Sequence, residues 1–280
     1  MRAPDQTPDK QPALPPELAE KHQQILDRLT GLNGALVAFS GGVDSSLVAY
    51  LAHQCLGEKA LAVTSASDSL SRADLTLTRN LAAEWGMAHR VIETEELNNP
   101  HYLANPVDRC YHCKSTLYTD LAKLARETGY EAILNGTNTD DLGDHRPGLR
   151  AADEHRVIAP LAEAGLNKAD IRLLAGFLGL PNHDKPQAAC LSSRVPYGLV
   201  ISKQVLTQVE QAESFLKALG FGQLRVRHHD TLARIEVPVA DFDKVMAHRE
   251  AIESGLRKAG YRYVTLDLRG FRSGSLNEGL

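Results

Sequence analysis

A loop with two consecutive glycines, placed between a short apolar run and an amphipathic segment, constrains the fold of this chain more than any other feature. Residues 35–39 (ALVAF) form the apolar run, residues 40–46 (SGGVDSS) the loop, and residues 45–55 the predicted helix. Adjacent glycines allow backbone N–H groups to close around an anion, and a helix N-terminus favours negative charge. The pattern therefore predicts a phosphate site at the carboxyl end of a buried strand.

Helical and strand-like segments alternate up to about residue 180. Apolar runs at 35–39, 60–64, 89–92 and 132–134 are separated by segments with helical periodicity at 18–29, 45–55, 70–85 and 116–128. Such alternation is typical of a parallel sheet covered by helices. A different order follows, with a helix at 205–219, strands at 223–227 and 233–237, a helix at 242–259 and a strand at 261–268. We therefore predict a disordered arm over residues 1–16, an α/β domain over 17–197 and a smaller α+β domain over 198–280.

Composition excludes several classes of protein. Hydrophobic residues make up 43% of the 280 residues and charged residues 24%, which is typical of a globular chain. No apolar run approaches the ~20 residues that a membrane helix needs, and the polar, proline-rich start has no apolar core of a secretion signal. We therefore expect a cytoplasmic protein with no membrane partner. The net charge of −4 argues against a chain-wide surface for nucleic acid.

The loop departs from the two commonest nucleotide-binding patterns. It contains no lysine, as a G-x-x-x-x-G-K-[ST] loop would, and it is not G-x-G-x-x-G. It resembles instead the PP-loop of the adenosine-nucleotide α-hydrolases, which implies that ATP is cleaved between its α and β phosphates while the loop holds the pyrophosphate. The candidate ATP-binding residues are Ser40, Gly41, Gly42, Asp44, Ser45 and Ser46.

Two adjacent carboxylates, Asp140 and Asp141, follow the fourth predicted strand. They should lie at the same edge of the sheet as the loop, where either can hold Mg²⁺ on the pyrophosphate. The alternative is an N-cap turn without a metal.

Three of the four cysteines lie in segments that suit sulfur or metal chemistry. Cys110 and Cys113 form a C-x-x-C just ahead of a predicted helix, and Cys190 lies between prolines and close to Arg194. Cys55 falls on the apolar face of its helix and is interpreted as a core thiol. Three thiols can hold structural zinc if His112 or His183 completes the site. They can instead hold a [4Fe-4S] cluster with one iron left open, or Cys190 can act alone without a metal.

Six segments together resemble the LarE family of ATP-dependent sacrificial sulfur transferases. They are SGGVDSS, NPVDRCYHCKSTLY, GTNTDDLGDHRPG, KPQAACLSSRVPYG, RVRHHDTLARIEV and YVTLDLRGFRSGSLNEGL, and the resemblance covers residues 18–280. It implies that a carboxylate of pyridinium-3,5-biscarboxylic acid mononucleotide is adenylated by ATP with Mg²⁺ and converted to a thiocarboxylate, for the nickel-pincer nucleotide cofactor. It also implies a homo-oligomer, trimer-based or hexameric, with the C-terminal domain serving substrate binding and assembly.

The resemblance also assigns roles to single residues. Asp44 and Cys190 are implied to be catalytic, and Cys190 matches the position of the sulfur donor. Members with a C-x-x-C use a [4Fe-4S] cluster, which here would be held by Cys110, Cys113 and Cys190. Arg225 and Arg227 match the position that binds the substrate phosphate, and Arg194 and Arg272 are further candidates. Asp141 is the candidate Mg²⁺ ligand.

Three other functions fit parts of the pattern. A tRNA-thiolating PP-loop enzyme would need a basic groove or an RNA-binding module, and the acidic balance weighs against one. An amide-forming ligase would leave the C-x-x-C and Cys190 unexplained. A nucleotide or metal sensor would bind ATP without releasing AMP and pyrophosphate.

Overall fold

The computed structural model describes residues 13–143, 147–186, 189–272 and 274–278. Most of the predicted N-terminal arm therefore lies outside the described residues. A first sheet of four parallel strands has the order β3-β2-β1-β4, and a second sheet of three strands has the order β5-β6-β7. The strands are β1 Ala35–Ala38, β2 Ala60–Ser65, β3 His89–Ile92, β4 Ala132–Leu134, β5 Arg225–His229, β6 Leu232–Glu236 and β7 Tyr263–Leu266.

Helices connect and cover these strands. They are α1 Pro16–Thr30, α2 Val43–Leu56, α3 Arg72–Glu84, α4 Pro100–Leu103, α5 Arg109–Thr128, α6 Thr139–Leu142, α7 Pro147–Glu154, α8 Pro160–Glu163, α9 Lys168–Phe177, α10 Lys203–Ala218, α11 Phe242–Ala247 and α12 Arg249–Lys258. The predicted α/β class with a parallel sheet is confirmed. In the part of the chain that the structure describes, no helix is long and apolar enough to cross a membrane.

The first sheet is buried on both faces, as expected for parallel strands between helices. Successive side chains of β1 point to opposite faces. Val37 joins a core cluster with Ile25 of α1 and Leu47 of α2, whereas Leu36 packs in a separate cluster that includes Leu121 of α5. This burial fixes β1, and with it the start of the glycine loop, in the centre of the sheet.

The second sheet has its own core. β5 pairs with β6 in antiparallel fashion, and β6 pairs with β7 in parallel. Val226, Ile235 and Leu256 are fully or almost fully buried there. Helix α10 contributes to this core through Leu216, and it also packs against Tyr102 through its Leu206. The helix therefore connects the second sheet with the region around the cysteines.

Several helices differ from the sequence prediction. The single helix expected at 242–259 is two helices that meet at His248, whose backbone N–H donates to the carbonyl oxygens of both Lys244 and Val245. Helix α9 was not predicted, although Asn167 and Asp170 form a capping box at its start. The physical reason is its length of 10 residues, which gives a weak periodic signal.

Candidate active site

The glycine loop turns sharply over the N-terminus of α2. Gly41 has a φ of 72°, in the left-handed region that favours glycine, and Gly42 is the N-cap residue. The Ser45 Oγ accepts a hydrogen bond from the Ser40 N–H at 3.2 Å and lies 3.1 Å from the Gly42 carbonyl oxygen, to which it donates. These bonds hold the loop as a turn around a helix N-terminus, the arrangement that binds phosphate through backbone amides.

A second loop, after β4, lies directly against the first. A Cβ added to Gly136 would lie 2.6 Å from the backbone nitrogen of Ser45 and 2.8 Å from the carbonyl carbon of Asp44. Both distances are shorter than real Cβ contacts allow. Glycine at position 136 therefore lets the carboxyl ends of β1 and β4 come together at the start of α2.

Replacement of Gly136 by alanine should therefore displace the glycine loop. We expect a loss of about 1–3 kcal/mol in the free energy of unfolding, as for other overpacked sites, together with weaker ATP binding. Urea unfolding and calorimetric titration with ATP measure the two effects. Gly143→Ala is the matched control, because a Cβ at that position meets nothing within 4 Å. Equal behaviour of the two variants would contradict this account of the contact.

Asp44 on the first turn of α2 receives two groups from elsewhere in the chain. The Lys168 ammonium at the start of α9 forms an ion pair with its carboxylate, and the Asn138 Nδ2 donates to its Oδ1 at 3.3 Å. The glycine loop contains no lysine of its own, but the fold brings one to it. Sequence reasoning missed Lys168, because nothing in its local pattern shows that α9 begins beside the glycine loop.

A second lysine approaches the loop from the segment after α9. The Lys185 Nζ donates to the Gly41 carbonyl oxygen at 3.1 Å and to the Asp74 Oδ1 at 2.7 Å. The Asn182 Nδ2 donates to the same carbonyl at 3.1 Å and to the Ser46 Oγ at 2.8 Å. Burial raises the pKa of Asp74, but the bonds from Lys185 and Ser71 outweigh it, so this pKa lies below its usual value. The contacts fix the loop and leave two ammonium groups beside it.

Of the two acidic residues after β4, Asp141 forms a capping box with Asn138 at the start of α6, and Asp140 binds the start of α9. The Asn138 side chain accepts from the backbone N–H groups of Asp140 and Asp141, and the Asp141 carboxylate accepts from the Asn138 N–H at 3.1 Å. The Asp140 Oδ2 accepts from the Lys168 N–H at 2.9 Å. This is the N-cap alternative considered in the sequence analysis, and it occupies one oxygen of each carboxylate.

The C-x-x-C lies inside helix α5 rather than ahead of it, which corrects the sequence prediction. The reason is that the helix begins at Arg109, after a turn in which the Arg109 N–H donates to the Pro106 carbonyl at 3.0 Å. Cys110 is exposed and Cys113 is partly buried. Desolvation, and after it the charge of Cys190, raises the pKa of Cys110.

The third cysteine lies close enough to the C-x-x-C to act on it electrostatically. Burial, and after it the charge of Glu96, raises the pKa of Cys113 to about 12, and Cys190 adds to this effect. Cys190 is itself exposed, and all three thiols are free of disulfide bonds. Cys113 also packs in the same apolar cluster as Leu191, so the structure brings the segments that carry the three cysteines into one region. Cys55 packs against the core around Leu47, away from this group.

A metal ion places stricter demands on geometry than electrostatic proximity does. Within the described ranges, no three His, Cys, Asp or Glu side chains are grouped so that they can hold a metal ion. The donor chemistry of three reduced thiols still matches that of iron–sulfur ligation.

Hydrogen bonds tie the segment after Cys190 to α4, α5 and the loop after β2. The Leu191 N–H donates to the Ser69 carbonyl at 2.9 Å, and the Ser192 Oγ lies 2.6 Å from the Tyr102 hydroxyl. The Arg109 Nη1, buried beside Cys110, donates to the Ser192 carbonyl at 3.0 Å. The neighbourhood of the three cysteines therefore depends on tertiary hydrogen bonds.

Asn105 is a further part of this attachment. It is fully buried with a φ of 51°, and its Nδ2 donates to the carbonyl oxygens of Val195, Pro196 and Leu199 at 2.7–3.2 Å. Its Oδ1 accepts from Arg109. One buried amide therefore fixes the chain after Cys190 to the start of α5.

Asn105→Ala should cost about 2–3 kcal/mol in the free energy of unfolding, since it leaves buried carbonyl acceptors without their donor and removes one acceptor of the Arg109 guanidinium. Urea unfolding measures this loss. Asn98→Ala, which removes an exposed amide bonded to Glu95, is the control. A loss below about 0.5 kcal/mol for Asn105→Ala, as for an ordinary surface change, would contradict the proposed attachment.

Two of the four arginines considered for the substrate are held by buried carboxylates. Arg194 forms two hydrogen bonds to the Glu213 carboxylate at 2.8 and 3.2 Å, and Arg227 forms two to the Glu236 carboxylate at 3.0 Å each. All four side chains are buried. Arg227 is therefore not part of a solvated strand face.

The other two arginines differ from each other. The buried Arg225 donates to the Arg272 carbonyl at 2.9 Å and lies over the Phe271 ring, 4.5 Å from its centroid. Desolvation, and after it the charges of Arg227 and Arg194, lowers the pKa of Arg225. Arg272 forms an ion pair at 2.9 Å with Glu278 near the surface. Arg194, Arg225 and Arg227 thus form a buried arginine cluster. Among the described residues, Arg225 has no carboxylate partner.

Comparison with known proteins agrees with this geometry. The family described as NAD synthase matches residues 20–103, which contain the glycine loop. An uncharacterized protein of Synechocystis sp. is 45% identical over 93% of this chain and 98% of its own length. The tRNA-specific 2-thiouridylase MnmA of Rickettsia peacockii is 28% identical over 60% of this chain and 56% of its own.

A named relative matches along almost its whole length. The pyridinium-3,5-bisthiocarboxylic acid mononucleotide synthase of Lactiplantibacillus plantarum is 38% identical over 94% of this chain and 96% of its own. With the glycine loop, the parallel sheet and the gathered cysteines, this similarity shows that the chain belongs to the LarE family of ATP-dependent PP-loop sulfur transferases.

Proposed function

We propose that this protein adenylates a carboxylate of pyridinium-3,5-biscarboxylic acid mononucleotide and converts it to a thiocarboxylate. The proposal rests on the packing of the segment after Cys190 against the helix that carries Cys110 and Cys113, in a chain that also forms the glycine loop. An amide-forming ligase has no use for these thiols. The named relative supports the substrate.

In the first step, a carboxylate oxygen of the substrate attacks the α-phosphorus of ATP, and pyrophosphate leaves with the electron pair of the broken P–O bond. The amides around Gly41 and Gly42 would hold the departing pyrophosphate. Lys168 would bind its outer oxygens, and Asp44 would then be free to hold Mg²⁺. Each of these groups already lies at the N-terminus of α2.

In the second step, sulfur attacks the acyl carbon and AMP leaves with the former carboxylate oxygen. Cys110, Cys113 and Cys190 would hold a [4Fe-4S] cluster, which when bound supplies a sulfide on its open iron. Cys190 is also the candidate for direct donation of its own sulfur, which would leave dehydroalanine at that position. Its exposure and its nearness to the C-x-x-C suit both routes.

The substrate phosphate would bind at Arg225. In the buried arginine cluster, Glu213 holds Arg194 and Glu236 holds Arg227. The Arg225 guanidinium has no carboxylate partner among the described residues and donates to a backbone carbonyl. A phosphate there would supply the missing negative charge. Arg194 and Arg227 would then act by fixing the surroundings of Arg225.

Anaerobically purified protein tests the proposal when it is mixed with ATP and the dicarboxylate mononucleotide. We expect AMP, pyrophosphate and a thiocarboxylate product in equal amounts, and none of them in the absence of the dicarboxylate. Release driven by unmodified tRNA instead would favour the thiouridylase alternative and contradict the proposal. Iron and sulfide analysis, with the intact mass of the protein after one turnover, separates the cluster from donation by Cys190.

A further inference from the structure

Lys114, beside the C-x-x-C on α5, has no role in the two steps proposed above. It follows Cys113 on α5, and its Nζ lies 5.9 Å from the centroid of the Tyr118 ring. Helix α7 closes over its stem, since a Cβ at Gly148 would lie 3.2 Å from the Lys114 Cγ. The side chain therefore has a restricted course along α5, although the residue keeps contact with solvent.

The ammonium lies in the field of all three cysteines. The pKa of Lys114 is raised, first by its interaction with Tyr118 and less by those with Cys113, Cys110 and Cys190, against an opposing effect of desolvation. In the part of the chain that the structure describes, no carboxylate forms an ion pair with it. Arg109 and Arg194 also lie close to the cysteines, but Asn105 and Glu213 hold their guanidinium groups.

Contacts on the other side of Lys114 lead to the nucleotide loop. The Tyr118 hydroxyl accepts a hydrogen bond from the Asn135 Nδ2 at 3.1 Å. The next residue, Gly136, lies against the backbone of Ser45. Lys114 is therefore linked to the glycine loop through Tyr118, Asn135 and Gly136, and it directly follows Cys113 in the sequence.

We propose that Lys114 binds the carboxylate that is to be activated, and so positions it between the nucleotide loop and the three cysteines. This rests on the proposed function, whose two steps need the same carboxyl group to meet first the α-phosphate and then the sulfur. An ammonium at that point offsets repulsion between the carboxylate and the phosphates. It also stabilises the negative charge that develops on the acyl oxygen when sulfur attacks. No proton moves to or from Lys114.

The variants Lys114→Met and Lys114→Arg test the inference, with Lys123→Met on an exposed turn of the same helix as the matched control. We expect Lys114→Met to lower kcat/KM for the dicarboxylate mononucleotide about 10-fold to 100-fold, as for loss of one charge-assisted hydrogen bond. The KM for ATP should stay within about twofold, and Lys114→Arg should recover part of the loss. Equal kcat/KM in Lys114→Met and Lys123→Met would overturn the inference.

A binding measurement separates this inference from the proposed function. Pyridine-3,5-dicarboxylate is titrated by calorimetry into protein loaded with an ATP analogue that has a methylene between the α and β phosphates. We expect Lys114→Met to bind it at least about tenfold more weakly than Lys123→Met does. If the wild-type protein binds the probe but releases no pyrophosphate with the mononucleotide, the proposed function fails, and the two variants still decide the role of Lys114. Equal binding by them, or none by the wild type, would refute it.

Discussion

Asp44→Ala is expected to lower the rate of pyrophosphate release by about 100-fold to 1,000-fold, the size of effect seen when one group that stabilises a transition state is removed. The carboxylate lies on the first turn of α2, paired with Lys168 and bonded by Asn138. Its loss removes the proposed Mg²⁺ ligand and the partner that orients Lys168. The release of pyrophosphate with the dicarboxylate substrate is the measurement.

Asp153→Ala is the matched control, since Asp153 is an exposed aspartate near the end of α7. Both variants should keep the wild-type circular dichroism spectrum, because Asp44 is not part of the apolar core. An Asp44→Ala protein that is folded and releases pyrophosphate at the rate of Asp153→Ala would contradict the role of Asp44.

Cys110→Ser and Cys113→Ser are each expected to abolish repeated turnover and to remove most of the bound iron from anaerobically purified protein. A serine hydroxyl is a poor ligand for iron compared with a thiolate, and the proposed cluster has only three protein ligands. Iron content, the visible absorbance spectrum and the number of products formed per protein chain measure the effect.

Cys55→Ser provides the control within the same chain. Burial raises the pKa of Cys55, which packs against the core of the first sheet, so this change should leave iron and turnover intact. Full repeated turnover in both C-x-x-C variants would refute the cluster. A single turnover per chain in the wild-type protein, with Cys190 converted to dehydroalanine, would instead identify direct donation as the route.

The sequence predicts the fold well where the local hydrophobic pattern agrees with the burial of the residues in the structure. The strands at residues 89–92 and 132–134 have the predicted bounds, and the glycine loop leads into α2 as expected. Apolar runs fully buried between helices leave a clear signal, and two glycines before a helix leave another. The prediction of one helix at 242–259 is less accurate, because the break at His248 is made by backbone hydrogen bonds that hydrophobic periodicity does not reveal.

The candidate site could be predicted only in part. The loop residues and the three cysteines stand out in sequence, since their types are unusual and their spacing is short. Lys168 and Lys185 do not, because their meeting with Asp44 and Gly41 depends on how α9 and the following segment pack. The ion pair between Arg227 and Glu236 likewise depends on how β5 and β6 pair in the folded protein, so the sequence alone does not reveal it.

The central claim is that ATP activates a carboxylate for attack by sulfur, and oxygen-18 tests it most directly. The dicarboxylate mononucleotide is labelled in its carboxylate oxygens, and the AMP formed with one turnover is analysed by mass spectrometry. If the carboxylate attacks the α-phosphorus, AMP must carry one oxygen-18 atom from the substrate, and the thiocarboxylate must have lost it. Unlabelled AMP, or release of ADP and inorganic phosphate in place of AMP and pyrophosphate, would contradict the account.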